Sequence, residues 1–175
     1  IAGLELYLPL LVGGRVVIAD RETALDGQRL AHLLETSKAT VMQATPAMWR
    51  MIAETNFEGR PELKFVTAGE PLPRDLIRPL LDRCGELWNL YGPTETTVYS
   101  SGTQVFNDLD RILIGGPVAN TNLYVVDEND QLCPPEVAGE LLIGGDGVTH
   151  GYLNRPDLNA EKFIQWNGET VYRTG

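Results

Sequence analysis

Apolar residues recur along the first half of the chain in two alternating rhythms. Leu4, Leu8 and Leu11 stand at helical spacing over residues 1–12, Gly13-Gly14 closes that helix, and RVVIA at 15–19 predicts a strand. Asp26 is a candidate N-cap for a helix with Leu30, Leu33 and Leu34 on one face, and TVMQA at 40–44 predicts the next strand. Thr45-Pro46 opens another helix, with proline at its first position and Met48, Met51 and Ile52 facing inward. LKFVTA at 63–68 is a third buried strand, punctuated by Gly69-Glu70-Pro71. The helix carrying Leu76, Ile77, Leu80 and Leu81 contains Pro79, which either kinks it or marks where its regular part begins. Leu87, Trp88 and Leu90 form a fourth strand that stops at Tyr91-Gly92-Pro93, where Gly and Pro force a change of direction.

Alternating strands and helices predict βαβ units and a mostly parallel α/β sheet covered on both faces. After about residue 105 the grammar changes. NLYVVDEND at 122–130 pairs with GELLIGG at 139–145 across a turn at Pro134-Pro135, as antiparallel strands of a small barrel do. The polar connection at 107–111 is the candidate boundary between an α/β sheet subdomain over 1–107 and a β-barrel-like subdomain over 108–175. A last helix, capped by Asn159, places Ala160, Phe163 and Ile164 on one side.

Charge narrows the partners. A net charge of −10 and a pI near 4.6 remove the basic footprint of nucleic-acid binding, so polyanions are disfavoured. No apolar stretch has the length of a bilayer span, which argues against a membrane role. Cys84 and Cys133 have no metal or disulfide spacing, and a reducing cytoplasm is expected. The opening Ile1 and LELYLPLL, without a basic leader, are expected of an internal piece of a longer soluble chain.

The candidate chemistry follows the fourth strand. Thr94, Glu95, Thr96 and Thr97 set hydroxyls and one carboxylate just past its end, where ligands bind in open α/β sheets. Hydroxyls suit phosphate oxygens, and a lone carboxylate suits Mg²⁺, which takes one or two carboxylates plus the substrate's own phosphates. The competing reading of YGPTETT is a polar turn between strands. GGDGVTHG at 144–151 lacks the phosphate-loop pattern and is expected to be a connecting loop. His32, His150, Cys84 and Cys133 carry no catalytic motif, and Asp127, Glu128 and Asp130 form a solvated hairpin tip.

LKFVTAGEPLP, NLYGPTETTVYS, GELLIGGDGVTHGYLNRPDLNAEKF and the terminal VYRTG, in this order, resemble core motifs of nonribosomal peptide synthetase adenylation domains. These belong to the adenylate-forming superfamily with acyl-CoA synthetases and luciferases. The resemblance implies activation of an amino acid with ATP and Mg²⁺ to an aminoacyl-adenylate, releasing pyrophosphate. Transfer to the phosphopantetheine thiol of a peptidyl carrier domain follows, with condensation domains in the same assembly line. It implies that Thr94 contacts the α-phosphate, that Glu95 holds Mg²⁺ and that Tyr91 stacks on adenine beside Gly92. Asn89 then meets the adenine amino edge, and Gly69, Glu70 and Pro71 line the opposite face of the base.

The amino-acid pocket is implied at Ile1, Leu4, Gln43, Val66, Ala68, Leu90, Val98 and Tyr99. None of these is charged, which disfavours Lys, Arg, Asp and Glu as substrates. The bulk of Leu4, Leu90 and Tyr99 predicts glycine first, then alanine or another small neutral residue, with Gln43 and Tyr99 closing the cavity. The family's ammonium-binding and ribose-binding aspartates, its phosphate loop and its lysine-bearing subdomain all lie outside this sequence. The segment alone is expected to be inactive, with an uncovered sheet edge and apolar surface. The alternatives are an acyl- or aryl-CoA ligase of the same superfamily and a non-catalytic nucleotide-binding module.

Overall fold

The structure is a computed structural model that describes residues 1–106 and 111–175. Two compact units divide it: Ile1–Asn89 with Gln104–Leu113, and Leu90–Thr103 with Ile114–Gly175. The boundary expected at 107–111 falls on residues 107–110, outside the described residues.

The first unit begins with helices α1 (Ala2–Leu11), α2 (Arg21–Ala24) and α3 (Gly27–Ser37), then alternates β1 (Val41–Ala44), α4 (Pro46–Ala53), β2 (Arg60–Thr67) and α5 (Arg74–Leu81). Strand β3 (Cys84–Tyr91) follows. The caps form where the sequence places them: Asp26 accepts from Arg29 N at 3.0 Å, and Thr45 accepts from Met48 N ahead of Pro46. Strands β1, β2 and β3 are parallel neighbours, with Val41 opposite Lys64, Ala44 opposite Thr67 and Thr67 opposite Asn89. The core joins Leu30 and Leu34 of α3, Trp49 and Ile52 of α4, Leu76 and Leu80 of α5, and Leu63, Phe65 and Leu87 of the strands. Pro79 is accommodated inside α5.

Two expectations are corrected in this unit. Leu63, Phe65 and Thr67 are buried, whereas Lys64 is exposed and ion-paired with Glu86 at 2.7 Å, and Val66 and Trp88 are half-buried. Successive side chains point to opposite faces, so one face of the sheet is buried deeply while the other is only partly covered. RVVIA at 15–19 forms no strand: a strand needs a ladder partner, and among the described residues none pairs with it, leaving Val17 and Ile18 exposed. Helix α1 is present, but none of its residues is buried.

The second unit contains β4 (Ser101–Val105) up to Thr103, β5 (Gly116–Pro117) and an antiparallel sheet. That sheet has the order β6 (Thr121–Val126), β7 (Glu140–Gly145), β9 (Glu169–Arg173), β8 (Phe163–Trp166), and helix α6 (Pro156–Lys162) precedes β8. The expected antiparallel pairing is present over Thr121–Val126 and Glu140–Gly145, with Leu123 opposite Ile143 and Val126 opposite Glu140, and 127–130 form a turn beyond it. The last helix is corrected: Arg155 takes the N-cap position, Asn159 lies inside α6, and Phe163 and Ile164 belong to β8. Asn167-Gly168, at φ 49° and 89°, supplies the tight turn that pairs Trp166 with Glu169 and so turns an apolar run into a hairpin strand. Asp130 is not simply solvated, since it pairs with Arg173 at 2.5 Å while Glu140 holds the same guanidinium at 2.7 Å. Among the described residues, no helix is long and apolar enough to cross a membrane.

Candidate functional site

The turn after β3 is a closed loop within the second unit. Ser100 N donates to Tyr91 O at 2.8 Å, which joins the two ends of the loop. Between them Thr94–Thr96 forms one turn of 3₁₀-helix, and Thr97 and Val98 then take left-handed backbone at φ 59° and 70°. Tyr99 N donates back to Thr97 O at 2.9 Å, so Val98 centres a γ-turn that a β-branched residue rarely tolerates. Two buried hydroxyls, Thr96 Oγ1 and Ser100 Oγ, share a hydrogen bond at 2.5 Å beneath the turn. Strain of this kind persists only where surrounding contacts enforce it, and it concentrates at ligand sites.

Gly92 makes the closure possible. A Cβ at this position would lie 2.5 Å from Val98 O, 2.6 Å from Tyr99 Cα and 2.7 Å from Ser100 N, all backbone atoms with no freedom to yield. Gly92→Ala is expected to lower stability by about 2 kcal/mol through overpacking, and to open the loop. Denaturant unfolding of the full-length protein measures the first effect, and faster hydrogen exchange at Ser100 N reports the second.

The glycine-rich segment 144–151, expected as a connecting loop, is the wall that holds this turn. Thr149 N donates to Glu95 O at 2.8 Å, and Thr97 Oγ1 donates to Gly147 O at 2.7 Å. Gly147 must lack a side chain, because a Cβ would meet Thr96 O at 2.8 Å. Thr94 is exposed at the start of the turn, and Glu95 beside it is half-buried, its Oε1 accepting from the Tyr152 hydroxyl. Burial raises the Tyr91 phenol above its ordinary pKa, with the charges of Tyr172 and Glu95 adding to the effect. Of the pocket residues expected from sequence, Leu90, Val98 and Tyr99 belong to this unit, all half-buried.

The first unit holds the other expected residues. Asn89 is buried at the end of its run of β3, and its Nδ2 donates to Leu113 O at 2.8 Å. Gly69, at φ 87°, requires glycine for its backbone, and the atom nearest a Cβ there is Thr45 Cγ2 at 3.9 Å. Glu70 and Pro71 are exposed beside it. Gln43 stands opposite Val66, and Val66 opposite Trp88, so two expected pocket residues share one row across β1 and β2. Ala68 is buried just past β2, whereas Ile1, the N-cap of α1, and Leu4 within it are 50% and 38% exposed and meet no core. Burial pushes the Cys84 thiol up to about 11, which disfavours the thiolate.

Two residues tied to Glu95 were missed as site residues in the sequence. Tyr152 and Asn159 lie in GYLNRPDLN, whose only visible signal was its place in the family-like motif. Trp49 was passed over for Met48 and Met51, although it is fully buried in α4, as is Ile52.

A turn of hydroxyls and one carboxylate, set after a parallel strand and backed by a glycine-rich wall, is consistent with an adenylate-forming class of protein. The chain belongs to the AMP-binding enzyme family, whose profile matches residues 1–153. Within that family its similarity runs to nonribosomal peptide synthetases. It is 42% identical over 180 residues to a dimodular nonribosomal peptide synthase of Bacillus subtilis strain 168, covering 100% of this chain and 8% of the relative. A PKS-NRPS hybrid synthetase, ATPKS, of Aspergillus niger is 40% identical over 178 residues, covering 99% of this chain and 10% of the relative. Among solved structures, the four-domain nonribosomal peptide synthetase AB3403 bound to AMP and glycine superposes with a TM-score of 0.93 at 44% identity, over 98% of this chain and 13% of that one. The N-terminal subdomain of Klebsiella oxytoca NpsA, in complex with 3-hydroxybenzoyl-AMSN, gives 0.75 at 25% identity, over 92% and 40%. The chain spans 8% and 10% of the two curated relatives' own length.

Proposed function

We propose that the protein containing this chain activates a small neutral amino acid, glycine first, with ATP. The amino-acid carboxylate attacks the α-phosphorus, the bond to the β-phosphate oxygen breaks, and pyrophosphate leaves with its electrons. The aminoacyl group then passes to the phosphopantetheine thiol of a carrier domain, with condensation domains as further partners in the cytoplasm. The observation that carries this reading is the Thr94–Glu95 turn, held from behind by Gly147 and Thr149.

The residues fit Mg²⁺. Glu95 is engaged by a neutral donor, Tyr152, and forms no ion pair among the described residues, so its charge stays available to a cation. A lone carboxylate suits an ion that completes its shell with phosphate oxygens. When bound, Mg²⁺ neutralises charge on the phosphates. Thr94 presents its hydroxyl to the α-phosphate, Tyr91 and Gly92 flank the base, and Asn89 Oδ1 accepts from its amino edge. Gly69, Glu70 and Pro71 give the base a close backbone surface. The chain's contribution is preorganised positioning and electrostatics, without a covalent enzyme intermediate.

Glycine is favoured because Gln43, Val66, Ala68, Leu90, Val98 and Tyr99, with Ile1 and Leu4, offer no charge and much bulk. The glycine bound in the AB3403 structure, at 44% identity, supports the same choice. ATP–pyrophosphate exchange by the full-length protein against a panel of amino acids is expected to peak at glycine, with alanine at least tenfold lower in kcat/KM, the worth of about one methylene in a tight pocket. A dominant signal from a large or charged amino acid overturns the substrate. Signal only from aryl acids favours the CoA-ligase alternative.

A further inference from the structure

We propose that Tyr152, set by Asn159, is the positioning residue for the Glu95 carboxylate: it fixes one oxygen and leaves the other directed to the metal-bound nucleotide. The proposal rests on the reading of Glu95 as the Mg²⁺ ligand.

The geometry is a relay from helix α6 to the turn, all within the second unit. Asn159 clamps the backbone of Tyr152 at two points, its Oδ1 accepting from Tyr152 N at 2.6 Å and its Nδ2 donating to Tyr152 O at 3.0 Å. Gly151, at φ 109°, permits this approach, since a Cβ there would stand 2.7 Å from Asn159 Oδ1. The ring of Tyr152 is braced edge-on by Phe163 at 5.6 Å between centroids, and Phe163 by Tyr172 at 5.4 Å. So fixed, the Tyr152 hydroxyl donates to Glu95 Oε1. The Glu95 backbone is pinned separately, by Thr149 N on its carbonyl at 2.8 Å. Side chain and main chain of Glu95 are thus located by two ends of one continuous segment, Thr149 to Tyr152.

A free glutamate has three rotatable side-chain bonds, and each one ordered costs entropy when the ligand arrives. Ordering them in advance, through a donor that adds no charge, favours metal binding without competing for it. A tyrosine hydroxyl is protonated at neutral pH, so Tyr152 donates and the carboxylate accepts. Asn159 therefore has a task that the motif's loop character hides: an N-cap role would leave Tyr152 untouched, whereas the clamp reaches Glu95 through it.

The test uses the full-length protein and two readouts. The first is Mg²⁺-dependent thermal stabilisation in saturating α,β-methylene-ATP, and the second is ATP–pyrophosphate exchange titrated with Mg²⁺. Tyr152→Phe keeps the ring packing and removes only the donor. It is expected to raise the half-saturating Mg²⁺ about tenfold in both readouts, as loss of a group that orients a metal ligand does. Melting without Mg²⁺ should be unchanged within about 2 °C, and the amino-acid KM should stay constant. Asn159→Asp, which keeps the acceptor and loses the donor, should shift Mg²⁺ in the same direction, and the double variant should be no worse than Tyr152→Phe alone, because both act through one path. If Glu95→Gln moves the Mg²⁺ midpoint and Tyr152→Phe does not, the positioning role is wrong and the metal site stands. If neither moves it, the metal reading falls and this proposal with it. Equal loss of nucleotide binding with and without Mg²⁺ in Tyr152→Phe marks a merely structural residue and also overturns it.

Discussion

Glu95→Gln is expected to lower ATP–pyrophosphate exchange by the full-length protein about 100- to 1000-fold, the effect of removing one preorganised electrostatic partner of a transition state. Glutamine keeps the length of the side chain and an oxygen that accepts from Tyr152, so the hydrogen bond of the resting turn survives. The backbone bond from Thr149 survives as well, since it uses the carbonyl. What disappears is the negative charge, in a half-buried setting where no ion pair among the described residues has neutralised it. Unfolding midpoints should therefore match the wild type within about 2 °C while exchange collapses, and excess Mg²⁺ should recover part of the rate. Exchange within threefold of wild type would remove Glu95 from the chemistry and return the turn to the plain connection it resembles when read alone.

Trp49→Ala should be the most damaging change in the first unit, costing about 3–5 kcal/mol as large aromatic truncations in cores do. Trp49 is fully buried in α4, its ring lies 4.2 Å from that of Phe65, and its indole N–H donates to Val66 O at 3.2 Å. The alanine leaves a cavity against β2 and removes the indole bond to the carbonyl of Val66, a proposed pocket residue. Urea unfolding of the full-length protein measures the loss. Trp49→Phe separates the two causes, keeping most of the volume while losing only the hydrogen bond, worth about 1 kcal/mol. A raised amino-acid KM in Trp49→Phe at unchanged nucleotide affinity is expected, because the Val66 carbonyl and the residue that carries it lose their anchor. A loss under 1 kcal/mol for the alanine variant would mean that the site collapses around the gap.

Much of the architecture was legible before any coordinates. Asp26 and Thr45 cap their helices as their residue types dictate, and the paired runs at 121–126 and 140–145 form the antiparallel ladder that their alternation foretells. Helix caps and strand periods depend on neighbours within a few residues, so sequence suffices. RVVIA was misread because an apolar run specifies extended chain but not a partner, and a strand is a relation between two segments. The misplaced cap at Asn159 has the same origin: its amide is suited to a helix start, yet its bonds go to Tyr152, seven positions back.

The turn after β3 divides the two kinds of information most clearly. The sequence by itself determined that the strand breaks at Gly92-Pro93 and that hydroxyls and one acid follow the break, since Gly and Pro act locally and side-chain chemistry is carried by residue type. Only the tertiary structure decided that Val98 is held at φ 70°, that Gly147 backs the turn and that a phenol from position 152 meets the carboxylate at 95. Contacts between positions 50 to 57 residues apart are set by how sheet and loop pack, and no local propensity encodes them.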